Sequence, residues 1–169
     1  MTISRLSRSC GSKLMVARGS RLLPAFLALL VATGLWLGTS APLLAGASTL
    51  STVRINAGGD AVAPFAADQY YSGGTTLHST NVVSTAGVSN PAPEAVYQQY
   101  RYASNLTYTV PGFPSGSNAA VRLHFAETWW TGSGQRVFSV RLNGQWVLTN
   151  FDIWQVAGGS NKAVVEDFN

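Results

Sequence analysis

Hydrophobic and polar residues alternate in short runs along the second two-thirds of this chain. Ala120–Glu127 reads A-V-R-L-H-F-A-E, so Val121, Leu123 and Phe125 share one side of an extended strand. Arg122, His124 and Ala126 take the other, polar side. Val137–Leu148 holds two β-rich runs around Asn143-Gly144, a dipeptide suited to the positive φ angles of a type I′ hairpin turn. In that register Phe138, Val140 and Leu142 share a face with Val147. Ser139 and Arg141 share the other face with Trp146 and Leu148. Val53–Asn56, Leu106–Val110 and Ala163–Phe168 are further strand-like runs, and Phe151–Val156 is another short apolar one. No long window repeats apolar residues at three and four, and Gly- and Pro-rich turns separate the runs. The pattern predicts an all-β fold, a sandwich or barrel of antiparallel strands, with Phe125 and Phe138 in its core. Asn169 follows Ala163–Phe168 directly, which reads as an open sheet edge and a domain truncated at its C-terminus.

The N-terminal third has a different pattern. Residues 22–38 are uncharged and mostly apolar, a basic stretch precedes them, and Ala45-Gly46-Ala47 follows. This is the layout of a secretory signal peptide cleaved after Ala47. The alternative is a membrane anchor, although 17 residues broken by Pro24 and Gly34 are short for one. The expected division is a leader over 1–47 and an exported domain over 48–169. The formal charge of +4 over 169 residues then loses its meaning. Five of the eleven basic residues (Arg5, Arg8, Lys13, Arg18 and Arg21) belong to the leader, and the rest of the chain carries six basic against seven acidic groups. A nucleic-acid partner is therefore not expected, and a membrane is expected only if the leader stays. The single cysteine, Cys10, precedes the apolar run, so the exported part depends on an apolar core rather than a disulfide.

Candidate chemistry is sparse. His78 and His124 stand alone, whereas metal sites need several ligands at suitable spacing, and His124 is expected on the polar face of its strand. Ala57-Gly58-Gly59 lacks the spacing of a dinucleotide loop and reads as a tight turn. Asp68, Glu127 and Asp152 are the carboxylates a glycosidase would have to pair. The alternative is that Asp68 and Asp152 bond turn backbones and Glu127 ends a strand. Aromatic residues are the stronger signal: six Tyr, four Trp and six Phe follow position 47. Tyr70-Tyr71 and Trp129-Trp130 are doublets, and neighbours on a strand face opposite ways, so a doublet cannot be wholly core. Trp129-Trp130 sits between the run ending at Glu127 and Thr131-Gly132-Ser133-Gly134, which places it at a loop tip. Flat rings there suit the C–H faces of a sugar, or else a lid or a protein contact.

Several segments, in order, resemble the malectin family. They are Val53-Arg54-Ile55-Asn56-Ala57-Gly58-Gly59, Ala67-Asp68-Gln69-Tyr70, Val96-Tyr97-Gln98 with Arg101-Tyr102, Val121–Glu127, Gln135–Gly144, Asn150-Phe151-Asp152-Ile153 and Ala157–Ala163. The resemblance spans roughly 53–169. It implies a jelly-roll-like antiparallel β-sandwich that binds glucose-rich oligosaccharides or polysaccharides, α-glucans among them, without catalysis, metal or cofactor. Carried onto this sequence, the family's sugar-contacting aromatics fall on Tyr70, Tyr102, Trp129 and Trp130. The chain differs in having Gln99-Tyr100 for the family's Thr-Glu, and Trp129-Trp130 for a Tyr-Phe type pair. A glycoside hydrolase fragment and an adhesive β-sandwich contacting protein are the competing readings.

Overall fold

A computed structural model describes residues 1–7, 16–19 and 51–169. The apolar run 22–38, the cleavage motif at 45–47 and Cys10 lie outside the described residues. Eleven strands and two single-turn helices follow one another among those described. They are β1 (Thr2–Ser7), β2 (Val16–Gly19), β3 (Ser51–Arg54), β4 (Tyr71–Ser72), β5 (Thr75–His78), α1 (Glu94–Gln98), β6 (Gln99–Tyr102), β7 (Asn105–Thr109), β8 (Ala119–Ala126), β9 (Val137–Leu142), β10 (Gln145–Asp152), α2 (Ile153–Ala157) and β11 (Ala163–Phe168). One sheet has the order β10-β9-β1-β7-β4 and another β11-β8-β2-β3, while β5 and β6 form a separate hairpin. Every strand pairing is antiparallel. The alternation left sandwich and barrel open; the fold observed is the all-β sandwich that the family resemblance implies.

The two larger sheets bury one core between them. Val121, Leu123 and Phe125 of β8 meet Leu106 and Tyr108 of β7 and Phe138 and Val140 of β9. At its centre Phe125, Phe138 and Phe151 stand 5.3–5.6 Å apart, ring to ring. These inclined contacts let each ring edge meet a neighbouring face. They join β8 of one sheet to β9 and β10 of the other. The Asn143-Gly144 turn closes the β9–β10 hairpin with both residues at positive φ, 48° and 86°, the geometry a tight hairpin needs.

Four local expectations change. His124 is 1% exposed instead of lying on a polar face. The segment leading through α1 covers that side of β8, forming a second cluster of Phe65, Val83, Ala92, Val96, Tyr97 and Ala163. There Tyr97 hydroxyl and His124 Nδ1 share a 2.9 Å hydrogen bond, which removes most of the cost of burying both. Leu148 leaves the face of Trp146, because an irregularity between Trp146 and Leu148 shifts the register and turns Leu148 against the core. Phe151–Val156 is not one extended run: Asp152 ends β10 and caps α2, accepting from Gln155 N, and Gly158 closes the helix at φ 67°. Asp68 bonds side chains rather than turn backbone, as described below. Among the described residues β11 is the outer strand of its sheet, with Ser84 bridging its start.

Phe138→Ala should cost about 3–5 kcal/mol, since it leaves a cavity in the ring cluster. Trp146→Ala removes an exposed ring that stacks under Arg141 and should change stability by less than about 1 kcal/mol. Urea melts of the two variants beside the parent check both.

Candidate functional site

β6 organises the region where the predicted site residues lie. Alternation on this strand points Tyr100 and Tyr102 to one face and Gln99 and Arg101 to the other. The two tyrosine rings lie 6.3 Å apart, with Tyr100 buried and Tyr102 partly exposed. The Ala57-Gly58-Gly59 turn presses directly on this strand. A Cβ on Gly58 would stand 2.1 Å from the Tyr100 carbonyl carbon, and Gly58 has φ 83°. Only glycine meets both conditions. Beside it Gln99 Oε1 accepts from Asn56 Nδ2 (2.6 Å) and Asp60 N (3.0 Å), which holds the start of β6 to the turn.

On the far face of β6, Arg101 is buried and fully engaged. Its Nε donates to Asp68 Oδ2 at 2.7 Å and its Nη1 to Gly74 O at 2.8 Å. Tyr108 hydroxyl donates to the other Asp68 oxygen at 2.8 Å. Burial, then the charge of Asp68, push the Tyr108 phenol far above its ordinary range, so it stays a donor. The Tyr71 ring lies 3.4 Å under the Arg101 guanidinium, a cation–π contact. Tyr70 precedes it at φ 65° with a 43% exposed side chain, and its carbonyl accepts from Thr109 N.

The tryptophan doublet follows β8. Glu127 Oε1 accepts from both Trp129 N and Trp130 N at 2.9 Å. Its other oxygen meets Arg136 Nε at 2.5 Å, with both side chains buried. Arg136 reaches across to within 5.7 Å of the Tyr100 ring centre. Burial raises the Tyr100 phenol pKa, which the nearby Thr128 hydroxyl and the Arg136 charge offset in part. Trp129 is thus 61% exposed on a backbone that is fixed, while Trp130 is half-buried.

The predicted residues therefore fall into two groups. Tyr102, Trp129 and Trp130 belong to one run of contacts through Tyr100, Arg136 and Glu127. Tyr70 attaches from the opposite face of β6, through Tyr71 and Arg101. The sequence reading missed Tyr100 and Arg136, although the spacing Tyr100-x-Tyr102 already put both tyrosines on one face. The three carboxylates of the hydrolase reading are each tied down separately. Asp68 pairs with Arg101 and Tyr108, Glu127 with Arg136 and the tryptophan backbone. Asp152 accepts from Ser133 Oγ, Gly134 N and Gln155 N. Burial pushes the Asp152 carboxyl up, but these hydrogen bonds together outweigh it and hold the group below its usual range. Among the described residues no three His, Cys, Asp or Glu side chains gather as metal ligands. A 480 Å³ cleft on the far side of β6 is lined by Gly58, Asp60, Asp68, His78, Gln99 and Arg101 among others, and by none of the four predicted aromatics.

The sequence profile of the malectin domain matches residues 51–169. This chain belongs to the malectin domain family. Human malectin is 41% identical over 73 residues, which cover 43% of this chain and 25% of that protein. Malectin-A of Xenopus laevis is 38% identical over 73 residues, 43% of this chain and 26% of its own length. A probable receptor-like protein kinase of Arabidopsis thaliana is 30% identical over 148 residues, 74% of this chain and 17% of the kinase. The chain thus spans about a quarter or less of the length of these relatives. No solved structure matched it. Among the described residues no helix is long and apolar enough to cross a membrane.

Because Asp152 has a depressed folded-state pKa, its contribution to stability is present above the unfolded value near 3.8 and disappears as pH falls through the folded one. The difference in stability between the parent and Asp152→Asn should be largest at neutral pH and shrink steadily below about pH 4. Urea melts between pH 2.5 and 7 give the curve. Glu127→Gln leaves Arg136 buried without its counter-charge and should cost about 3–5 kcal/mol, measured in the same way.

Proposed function

We propose that residues 48–169 form a secreted or extracytoplasmic, non-catalytic carbohydrate-binding domain, exported by the leader over 1–47. Its ligand class is a glucose-rich oligosaccharide or polysaccharide, held by Tyr102, Trp129 and Trp130, with Tyr70 at the margin. Membership of the malectin family supports the ligand class. The observation that carries the reading is Trp129, a large exposed ring whose backbone is pinned by a buried carboxylate. An exposed indole gains nothing from folding. Fixing its position, however, removes part of the ordering cost of binding a flat apolar surface. A pyranose offers such a surface in its C–H faces, while its hydroxyls stay wet or bond neighbouring polar groups. The alternative of acid–base hydrolysis is disfavoured by the separate engagement of Asp68, Glu127 and Asp152.

Each ring should bury about 50 Å² against a sugar, on the order of 1 kcal/mol at about 25 cal/mol per Å². Tyr70→Ala, Tyr102→Ala, Trp129→Ala and Trp130→Ala should each weaken binding of a glucose oligosaccharide about fivefold to tenfold while melting near the parent. Isothermal titration beside thermal melts gives both quantities. Four variants that melt and bind like the parent would place the site elsewhere. The parent should release no reducing sugar from glucans or aryl glycosides, and release that follows the purified, folded parent would restore the hydrolase reading.

A further inference from the structure

Two strands of the sandwich come from the segment that the sequence pattern marks as a leader. β1 does not lie at a rim. It fills the centre of its sheet, paired from Thr2 to Leu6 with β7 and from Ile3 to Ser7 with β9. The contact continues past the strand ends. The Met1 amino group donates to Val110 O at 3.0 Å and Val110 N returns a bond to Met1 O at 2.8 Å. Thr2 N donates to Asn143 Oδ1 and Asn143 N to Thr2 O, each at 2.7 Å. Ile3 is 3% exposed and sits in the same cluster as Tyr108 and Val140.

Without β1, the two inner edges of β7 and β9 would face each other across a gap one strand wide, since neighbouring strands lie about 4.8 Å apart. They could not bond each other without the whole sheet shifting by that spacing. Nor are they built as edges. β7 (Asn-Leu-Thr-Tyr-Thr) has no charge and no proline, and β9 has only Arg141, whereas protected edges carry such residues. The same N-terminal stretch bears the basic residues that precede an apolar run and an A-x-A motif. One segment thus has two destinations, the sheet or removal.

We propose that the gap between β7 and β9 is a strand-acceptor site, filled here by the chain's own β1 and able to take an extended peptide in trans when β1 is displaced from it. The partner it fits is a strand of about six residues, antiparallel to both neighbours, with an apolar side chain at the register of Ile3. Main-chain bonds supply affinity, and the apolar side chain at the register of Ile3, with Met1 packed on the same core, supplies selectivity.

The test uses the full chain with a protease site inserted between Ser9 and Lys13, so that cleavage leaves β1 held by pairing alone. After cleavage, the N-terminal peptide should co-elute with the remainder in size exclusion. A labelled synthetic peptide of residues 1–8, in large excess, should exchange into the complex. The same peptide with Ile3→Asp should bind at least tenfold more weakly. Amides of Tyr108 and Arg141, which face β1 in this register, should lose protection from hydrogen exchange when the peptide is stripped and regain it when the peptide is restored. The proposal is overturned if the N-terminal peptide leaves while those amides and the melting temperature are unchanged, or if the two synthetic peptides bind alike.

Discussion

The buried pairing of Glu127 with Arg136 is the constraint on which the aromatic surface depends. It joins the end of β8 to the residue just before β9, so the loop between them is closed at its base by two opposite charges rather than by sequence-local turn chemistry. Burying two charges is costly, and here the cost is met by engaging both carboxylate oxygens: one faces the guanidinium, the other accepts two backbone N–H groups. Those N–H groups belong to Trp129 and Trp130. The ion pair therefore determines where an exposed indole stands. The same guanidinium reaches toward Tyr100, which brings β6 into register with the loop.

A second buried pair, Asp68 with Arg101, does for the other face of β6 what Glu127 and Arg136 do for the first. Arg101 ties Asp68, the Gly73-Gly74 turn and the Tyr71 ring to one strand. The two pairs account for two of the three carboxylates that could suggest hydrolysis, and the capping of α2 accounts for the third. In all three, both carboxylate oxygens are held by donors or a counter-charge within the protein, which fixes their position and leaves no oxygen turned to a substrate. Asp68, Glu127 and Asp152 are therefore part of the framework.

The close approach of Gly58 to the backbone of β6 sets the third requirement. A strand that carries Tyr100 and Tyr102 on one side and Arg101 on the other can serve both faces only if its path is fixed. A side chain on that glycine would meet the Tyr100 carbonyl carbon. What reads in the sequence as a plain turn thus limits how far the tyrosines can move relative to the core.

The sequence by itself determined the inward faces of the strands and one turn. Val121, Leu123, Phe125, Phe138 and Val140 follow from alternation, and the Asn143-Gly144 hairpin follows from backbone preference, because both depend on neighbours a few residues away. The exposure of Trp129 also follows, since a doublet cannot hide both members. Tertiary structure decided the rest. His124 is buried because a segment some thirty residues earlier in the chain covers its side of β8. Leu148 turns inward because an irregular register shift intervenes, and alternation carries no signal for such a shift. The partnership of Glu127 with Arg136, the division of Tyr70 from Tyr102 across β6, and the seat of β1 between β7 and β9 all depend on contacts between strands distant in sequence. Period-two patterning says which way a side chain points along its own strand, and is silent on what another part of the chain will place in front of it.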